Sequence, residues 1–348
     1  MMIKNFTTFD FLSTNLKLDD SLDKLTIPRF KFDISSNKPC CVQIDDTYTF
    51  SLSRNRFRNN ITNLIIICSK NNAHILDYVL NILNKYNIKD KYDILLVDDR
   101  SSSNSILSLS DKYDFSYLRI DNDADIFNYA NLNNIAALYA ERYNKKLILF
   151  YNNDLFPTSV DTIDNLVNKH QAHNSDISGC RLLYPTQQMY QELGKPQHLL
   201  SEHLDKIYNT IQHGGIHFMP RLSTDGQYWV LSPSHLWRYY DKETPLAKMD
   251  IRCYSVTGAI QIISTETFIS LNGFNTSLCT AFQDIDLCLK AIENNLSVYY
   301  FGTEYMYHAE SLTQVKEKNH YNQMINSDNI LWDILWGSKL PHLLGISR

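Results

Sequence analysis

A single stretch decides how the rest of this sequence is interpreted: Lys146-Leu147-Ile148-Leu149-Phe150-Tyr151-Asn152-Asn153-Asp154. An unbroken apolar and aromatic run of this length predicts a β-strand that is buried on both faces. Open α/β sheets bind their ligands just beyond the carboxyl ends of such strands. Asp154 stands at that place and offers a carboxylate, an oxygen ligand that suits divalent cations. Asn and Asp are also common turn residues, so the stretch alone is equally typical of a polar turn before the next helix.

The flanking sequence alternates between strand and helix patterns. Further strands are predicted at residues 64–68, 94–97, 117–120, 176–185, 260–263 and 297–301. Apolar residues recur with helical spacing at 75–86 and 131–143, after the capping pattern at 157–161, and from residue 285 to 292. This alternation predicts an α/β fold with a mostly parallel central sheet and helices on both faces.

The bulk composition narrows the class of protein. At 348 residues the chain can form one large α/β domain with additions, or two domains. The net charge of −5, from 33 Lys+Arg and 38 Asp+Glu, is too near neutrality to predict a nucleic-acid partner. Seven scattered cysteines, without a C-x-x-C pair, argue against a disulfide framework or a zinc knuckle and favour reduced thiols in a cytosol.

The hydropathy of the sequence bears on its location. No run of about 18 apolar residues predicts a transmembrane segment. The N-terminal sequence MMIKNFTTFD lacks the apolar core of a signal peptide. We therefore expect a cytoplasmic protein, and a peripheral position at the inner face of a membrane is compatible with this expectation.

Three further segments complete the predicted organisation. Residues 1–60 give weak signals and are expected to form an extension that ends in a polar, basic linker at 54–60. Residues 186–250 are expected to be irregular, and their length and aromatic content favour a functional role. A short helix is predicted at 329–336. The predicted division is an N-terminal extension at 1–60, a main domain at 61–315 with halves at 61–185 and 186–315, and a C-terminal helical tail at 316–348.

Several pieces of the sequence, taken in chain order, resemble the inverting GT-A glycosyltransferases of family 2, in their rhamnosyltransferase-like branch. The pieces lie at residues 65–71, 95–101, 127–134, 150–154, 211–215, 257–259, 272–274, 282–289 and 307–311. Asn152-Asn153-Asp154 resembles the Asn-Asn-Asp form of the family's DxD motif, and Tyr307-His308-Ala309-Glu310-Ser311 resembles its Tyr-His-His-Glu-Ser. The resemblance covers about residues 62–312 and implies a Rossmann-like GT-A fold, with a nucleotide-binding half followed by an acceptor-side half.

The resemblance and the chemistry of glycosyl transfer together imply roles for single residues. A divalent cation, Mn²⁺ or Mg²⁺, would offset the charge of the leaving diphosphate, with Asp154 and His308 as its ligands. Asp284 would be the general base that accepts the proton of the acceptor hydroxyl. A plain N-cap role for Asp284 stays open, and Asp286 is the competing carboxylate for either role.

The donor-binding residues are implied in the same way. They are Cys68, Ser69, Asn71, Asp98, Asp99, Asn134, Asn152, Asn153 and His213. Asp98 and Asp99 would meet the base and ribose at the end of their strand. Cys68 and Lys70 replace the family's Pro and Tyr, and Arg100 replaces its Gly, so UDP-, dTDP- and GDP-sugars all stay open as donors.

The predicted function is a metal-dependent inverting glycosyltransferase that moves a hexosyl or deoxyhexosyl group to a hydroxyl acceptor in polysaccharide or glycan assembly. The acceptor would be a glycan, a lipid-linked glycan or a protein. A sugar nucleotidyltransferase is disfavoured, because residues 69–72 lack its Gly-rich loop. An inactive carbohydrate- or nucleotide-binding relative would be expected to lose Asp284 or Asp154, and a Rossmann dehydrogenase would need G-x-G-x-x-G after Cys68.

Overall fold

The computed structural model of the protein describes residues 24–33, 40–120, 127–194, 206–310 and 318–346. The described strands are β1 (Lys24–Asp33), β2 (Cys40–Arg54), β3 (Asn63–Ser69), β4 (Tyr92–Asp99), β5 (Ser116–Ile120), β6 (Leu147–Tyr151), β7 (Leu155–Pro157), β8 (Ile177–Leu183), β9 (Ile211–His213), β10 (Ile216–Leu222), β11 (Trp229–His235), β12 (Asp250–Arg252), β13 (Ile260–Ser264) and β14 (Val298–His308). The described helices are α1 (Ala73–Lys85), α2 (Ser105–Tyr113), α3 (Tyr129–Arg142), α4 (Thr162–Ala172), α5 (Gln187–Leu193), α6 (Thr265–Ser270), α7 (Gln283–Glu293), α8 (Lys318–Trp336) and α9 (Lys339–Leu343).

Most strands join one sheet in the order β1-β2-β5-β4-β3-β6-β13-β8-β14-β12. At its centre the neighbours β5, β4, β3 and β6 run parallel to one another. β13 lies between β6 and β8 and runs antiparallel to both, while β8 and β14 run parallel. The stretch that opened the sequence analysis therefore forms β6, a fully buried strand in the middle of the sheet.

Helices cover both faces of this sheet. Successive residues of a strand point to opposite faces. Leu64 and Ile66 join a buried cluster with residues of α3, α6 and α7, whereas Ile65 and Ile67 join a second cluster with residues of α1, α2 and α4. The predicted α/β class, with a mostly parallel centre and helices on both faces, is confirmed.

The segment predicted to be a linker at 54–60 is attached to the sheet, so that interpretation is corrected. β2 continues to Arg54 and pairs with β5. Arg58 forms an ion pair with Asp93, with 2.8 Å between Nε and Oδ1. The buried Nζ of Lys145 donates to Asp93 Oδ2 at 2.6 Å and to the carbonyls of Arg58 and Ile61 at 2.9 and 2.7 Å. Of the predicted N-terminal extension, residues 1–23 and 34–39 lie outside the described residues.

The prediction that residues 186–250 are irregular is wrong for the part that the structure describes. The segment contains α5, three strands that join the sheet or each other, and β12 at the sheet edge. β10 and β11 form an antiparallel hairpin whose register runs from Ile216 opposite His235 to Leu222 opposite Trp229. Residues 195–205 lie outside the described residues.

The C-terminal helix α8 is longer than the predicted helix at 329–336 and joins three parts of the molecule. Asp328 accepts hydrogen bonds from the backbone N–H groups of residues 279, 280 and 281 at 2.8–3.0 Å. Asp333 pairs with Arg221 of the β10–β11 hairpin at 2.6 Å. Trp336 Nε1 donates to Asp286 Oδ1 of α7 at 2.9 Å. No helix in the described part of the chain combines the length and the apolar character of a membrane span.

Candidate active site

Several of the predicted site residues lie at one edge of the central sheet. Ser69 ends β3, Asp99 ends β4, and Asn153 follows β6. Because these strands are parallel neighbours, their carboxyl ends meet on the same side. A hydrogen bond of 2.9 Å from Asn153 Nδ2 to Ser69 Oγ joins two of the strand ends.

Asp154 and His308, the predicted metal ligands, are in direct contact. Strand β14 pairs with β7 so that His308 lies opposite Leu155, and the Ala309 N–H donates to the Asp154 carbonyl at 3.0 Å. This pairing leaves 3.1 Å between His308 Nε2 and Asp154 Oδ1. Both side chains are largely buried, so they are held in this arrangement before any ligand arrives.

The geometry of this pair suits two neighbouring ligands of one cation. Ligand atoms about 2.1 Å from an octahedral ion, at right angles to each other, are about 3.0 Å apart. His308 Nδ1 donates to Gln212 Oε1 at 2.6 Å, which leaves the Nε2 lone pair of the neutral ring for a metal. Burial acts to lower the pKa of His308, but the adjacent Asp154 carboxylate outweighs it and the pKa is raised. Across the described residues no group of three or more His, Cys, Asp and Glu side chains is arranged to hold a metal.

Asp284 lies next to the same edge, within the first turn of α7 and not before the helix as predicted. Its Oδ2 accepts a hydrogen bond of 2.5 Å from the Gly258 N–H, and its Oδ1 accepts one of 2.9 Å from the Ile285 N–H. The next residue after Gly258, Ala259, accepts a 3.0 Å hydrogen bond from the Asn152 N–H. Asp284 is thereby connected through two backbone contacts to the residues that follow β6.

The electrostatic surroundings of Asp284 favour proton uptake. Burial raises the pKa of its carboxyl, while the N–H groups of Gly258 and Ile285 act in the opposite direction. A Cβ at position 258 would lie 3.0 Å from Asp284 Cβ and 3.3 Å from Oδ2. The absence of a side chain at Gly258 is therefore what lets the carboxylate lie against the backbone.

Local hydrogen bonds hold the turns that follow β3 and β4. Asn71 receives a 2.9 Å hydrogen bond from the Ser102 N–H at its Oδ1, and its own N–H donates to Ser101 Oγ at 2.7 Å. Asp98 is fully buried and accepts from the Ser101 N–H at 2.9 Å and from Tyr117 OH at 2.7 Å. The Asp98 carboxylate therefore holds the turn after β4 together.

Asp99 and Cys68 are also buried at this edge. Burial raises the pKa of Asp99, and the cations of Arg100 and Lys70, at 3.1 and 3.5 Å, act against this shift. Burial raises the pKa of the Cys68 thiol well above its usual value, and its Sγ donates to Asn133 Oδ1 at 3.4 Å. Asp99 and its two cations thus form a charged cluster at the ends of β3 and β4.

Two of the predicted donor-binding residues, Asn134 and His213, have structural partners, and their role at the donor stays a prediction. Asn134 is fully buried, and its side-chain amide makes two 2.9 Å hydrogen bonds with the backbone of Phe274. His213 is also fully buried, and its Nδ1 lies 2.8 Å from Nδ1 of His235. Burial, followed by the charge of His235, holds the pKa of His213 well below its usual range.

A residue of the candidate site that the sequence analysis did not name is Gln212, the neighbour of His213. Side chains alternate along a strand, so when His213 points into the core Gln212 points to the other face. There its amide contacts both His308 and Glu310. The signal that could have found it is the strand period applied to the Gln-His-Gly-Gly piece at 212–215, which places the first two side chains on opposite faces of the strand.

No protein-family model matches the chain. Over 253 residues it is 24% identical to the O-antigen biosynthesis protein RfbC of Myxococcus xanthus, which covers 72% of this chain and 17% of that protein. It is also 24% identical over 256 residues to the uncharacterized protein y4gI of Sinorhizobium fredii (strain NBRC 101917 / NGR234), which covers 73% of this chain and 25% of that protein. The aligned part thus spans at most a quarter of the length of these curated relatives.

Two of the solved structures that are partly similar to this chain contain Mn²⁺. GalNAc-T7 with UDP, GalNAc and Mn²⁺ has a TM-score of 0.48 and 13% identity, over 72% of this chain and 44% of that one. The mannosyltransferase PcManGT from Pyrobaculum calidifontis, in complex with GDP-Man and Mn²⁺, has a TM-score of 0.47 and 12% identity, over 85% and 70%. S. aureus TarS 1-349 in complex with UDP-GlcNAc has a TM-score of 0.47 and 15% identity, over 82% and 70%.

Proposed function

We propose that this chain is a metal-dependent inverting glycosyltransferase that moves a hexosyl or deoxyhexosyl group from a nucleotide-sugar donor to a hydroxyl acceptor. The observation that carries the proposal is the arrangement of Asp154 with His308 and of Asp284 along one edge of the sheet. A pair of cation ligands and a separate general base are the two things that this chemistry requires. The similarity to the O-antigen biosynthesis protein supports a role in polysaccharide assembly.

The proposed reaction assigns the proton transfer to Asp284. Its carboxylate accepts the hydroxyl proton while the acceptor oxygen forms a bond to the anomeric carbon of the donor. The bond between that carbon and the diphosphate oxygen breaks on the opposite face, so the configuration at the carbon inverts and a nucleoside diphosphate leaves. The raised pKa of Asp284 makes its carboxylate a stronger proton acceptor than an exposed one.

The remaining residues would bind and orient the donor. Mn²⁺ or Mg²⁺ bound at Asp154 and His308 would supply positive charge at the leaving diphosphate. Asn152, whose Nδ2 lies 3.2 Å from His308 Nε2, would contact the ribose or a metal-bound water. The nucleotide would occupy the ends of β3 and β4, where residues 68–71 and 98–99 line the edge. The donor would be a UDP-, dTDP- or GDP-sugar, and the acceptor a glycan, a lipid-linked glycan or a protein.

Calorimetry of nucleotide binding tests this proposal. UDP, dTDP and GDP are titrated into the protein with Mn²⁺ and again with EDTA, and we expect at least one nucleotide to bind only with the metal. A nucleotide at 100 times its dissociation constant should also stabilise the fold by about 2.7 kcal/mol. Asp154→Ala should abolish the metal-dependent binding, whereas Asp161→Ala, which removes an exposed carboxylate at the start of α4, should not. Equal affinity in Mn²⁺ and in EDTA would refute the metal assignment.

A further inference from the structure

A chain of hydrogen bonds runs from the candidate metal ligand His308 into the protein. His308 Nδ1 donates to Gln212 Oε1 at 2.6 Å. At the other end of the same amide, Gln212 Nε2 donates to Glu310 Oε2 at 3.3 Å. Arg238 Nη2 donates to the same Glu310 oxygen at 2.7 Å, and Tyr184 OH donates to it at 3.0 Å. Glu310 Oε2 thus accepts hydrogen bonds from three side chains. One of these is Gln212, which is itself the hydrogen-bond partner of His308.

Arg238 lies in a strained turn that places it next to this carboxylate. Trp237 and Tyr239, which flank it, have φ angles of 58° and 68°. Bulky residues are rare in this left-handed region because their side chains crowd the backbone there. The turn is held against β9, because the Tyr239 N–H donates to the Ile211 carbonyl at 2.7 Å. The strand that carries Gln212 is therefore tied directly to the turn that carries Arg238.

The order of donors and acceptors along this chain decides the state of the His308 ring. A glutamine amide has an oxygen that only accepts and a nitrogen that only donates. Glu310 Oε2 and the His308 carbonyl oxygen only accept, so these two acceptors, each at 3.3 Å, bind the nitrogen end of Gln212 and turn its oxygen end towards His308 Nδ1. The oxygen end then requires a proton on His308 Nδ1, and in the neutral ring this leaves the lone pair on Nε2, the atom that faces Asp154.

We propose that Glu310 and Arg238 are positioning residues that fix the orientation of the Gln212 amide and thereby keep His308 Nε2 available to a cation. Arg238 compensates the charge of Glu310 and fixes the place of its oxygen, at a surface where the guanidinium is only 31% exposed. This inference rests on the proposed function in one respect: the cation is the one that the proposed function requires. The tautomer of His308 is defined without any metal.

Nitrogen-15 NMR of the metal-free protein tests the first step. The ring nitrogen shifts of His308 separate imidazolium, the Nδ1–H tautomer and the Nε2–H tautomer, and they are read at a pH at which the ring is neutral. We expect the Nδ1–H tautomer in the wild type and a mixture in Glu310→Met, which removes the acceptor but keeps the length of the side chain. Glu310→Gln retains an acceptor oxygen and should restore the wild-type shifts. An Nε2–H tautomer in the wild type would overturn the inference.

Mn²⁺ binding, followed by the EPR signal of the free ion, tests the second step. Replacing groups that orient a metal ligand typically costs 10–100-fold in affinity, and we expect that loss for Glu310→Met and for Arg238→Met. Gln212→Met removes the amide itself and should give the same loss, which keeps the test decisive if Glu310→Met does not fold. The matched control is Asp333→Asn, which breaks the comparable ion pair with Arg221 at 2.6 Å and should leave Mn²⁺ affinity unchanged.

The two measurements separate the two ideas. If His308 has the expected tautomer and the wild type binds no Mn²⁺, the metal part of the proposed function fails and the positioning role stands. If the wild type binds Mn²⁺ and the affinity of Glu310→Met equals that of the wild type, the positioning role fails and the proposed function stands.

Discussion

Among single residues, Asp284 offers the sharpest separation of chemistry from binding. Asp284→Asn keeps the shape of the side chain and one of its two acceptor oxygens but removes the proton acceptor. Loss of a general base typically costs about 10²–10⁴-fold in rate, and we expect transfer to fall by this amount while nucleotide affinity stays near that of the wild type. Steady-state turnover and calorimetry on the same preparation measure both quantities.

The matched control for this prediction is Asp286→Asn. Asp286 lies in the same turn of α7 but accepts from Trp336 Nε1 and pairs with Lys290, so its replacement should lower stability more than turnover. Turnover above about a tenth of wild type in Asp284→Asn would reject Asp284 as the base. In that case Asp286 becomes the next candidate.

Lys145 is the residue on which the attachment of the N-terminal strands depends most. Its side chain is 1% exposed, and three oxygens accept its N–H groups. Breaking a buried ion pair from one side costs about 3–5 kcal/mol, and the remaining Arg58–Asp93 pair places our expectation for Lys145→Met near the lower end. Urea unfolding measures the loss. Lys112→Met, which removes the exposed pair with Asp77, should unfold like the wild type, and equal midpoints for both variants would contradict the argument.

At the residue scale, the sequence could predict those site residues that belong to a strand end. Asp154 directly follows a long apolar run, and His308 lies in the separate Tyr-His-Ala-Glu-Ser piece at 307–311. Both residues could therefore be named as candidates from the sequence. His213 was chosen over Gln212 because a motif of adjacent residues does not tell which strand face is buried. The contact of Asn134 with the backbone of Phe274, 140 positions further along the chain, could not be predicted, because no local pattern records it.

At the scale of elements, α8 stabilises the segment that leads into α7. Asp328 lies on α8 and accepts three backbone hydrogen bonds from residues 279–281, just before Asp284. Burial outweighs these donors and raises the pKa of Asp328 to about 6, above the value of about 3.9 for an unfolded Asp. The folded protein therefore binds this proton more tightly, so the stability that the group contributes is fully present below about pH 4 and is lost as the pH rises to about 6.

Asp328→Asn should remove this pH dependence, because Asn does not titrate. The difference in free energy of unfolding between the wild type and the variant is expected to change by about 2 kcal/mol between pH 4 and pH 7. Urea unfolding at intervals across this range gives the difference directly, with Asp161→Asn as a control for the loss of an exposed carboxylate. Parallel curves for the wild type and Asp328→Asn would show that the carboxyl does not titrate in this window.

The elements around the acceptor side were the hardest to predict. The β10–β11 hairpin carries Pro220 and Pro233 opposite Leu231 and Phe218, so neither strand shows a clean alternation of apolar and polar residues. The long helix α8 begins in a polar run at 318–329, where no apolar period of 3.6 marks a helix. In contrast, β3, β4 and β6 are short apolar runs bounded by turn residues, and their positions were predicted within one or two residues.

At the scale of the whole molecule, the N-terminal strands are part of the central sheet. Phe50 and Leu52 of β2 are 2% and 8% exposed and belong to the buried cluster that also contains α3. A chain that starts at residue 61 would expose this cluster and the edge of β5, where unpaired backbone groups invite aggregation. We expect such a chain to melt at a lower temperature than the full chain and to aggregate at micromolar concentration.

Differential scanning calorimetry and light scattering on the two chains check this expectation. Phe50→Ala in the full chain is a smaller change to the same cluster. It should lower the free energy of unfolding by about 3–5 kcal/mol, because it leaves a cavity in a packed core. An unchanged melting temperature in the shortened chain would mean that residues 61–348 fold independently of β2.

The position of β13 has a consequence for synthesis on the ribosome. β6 ends at Tyr151, but its neighbour β13 begins only at Ile260, so the sheet cannot close on that side until about a hundred further residues have been added. At about 5–20 residues per second this takes on the order of 5–20 s. Throughout that interval the nascent chain presents β6, an apolar strand, with one edge unpaired. We therefore expect the strand that leads into the candidate active site to be open to non-native pairing at one edge during this interval.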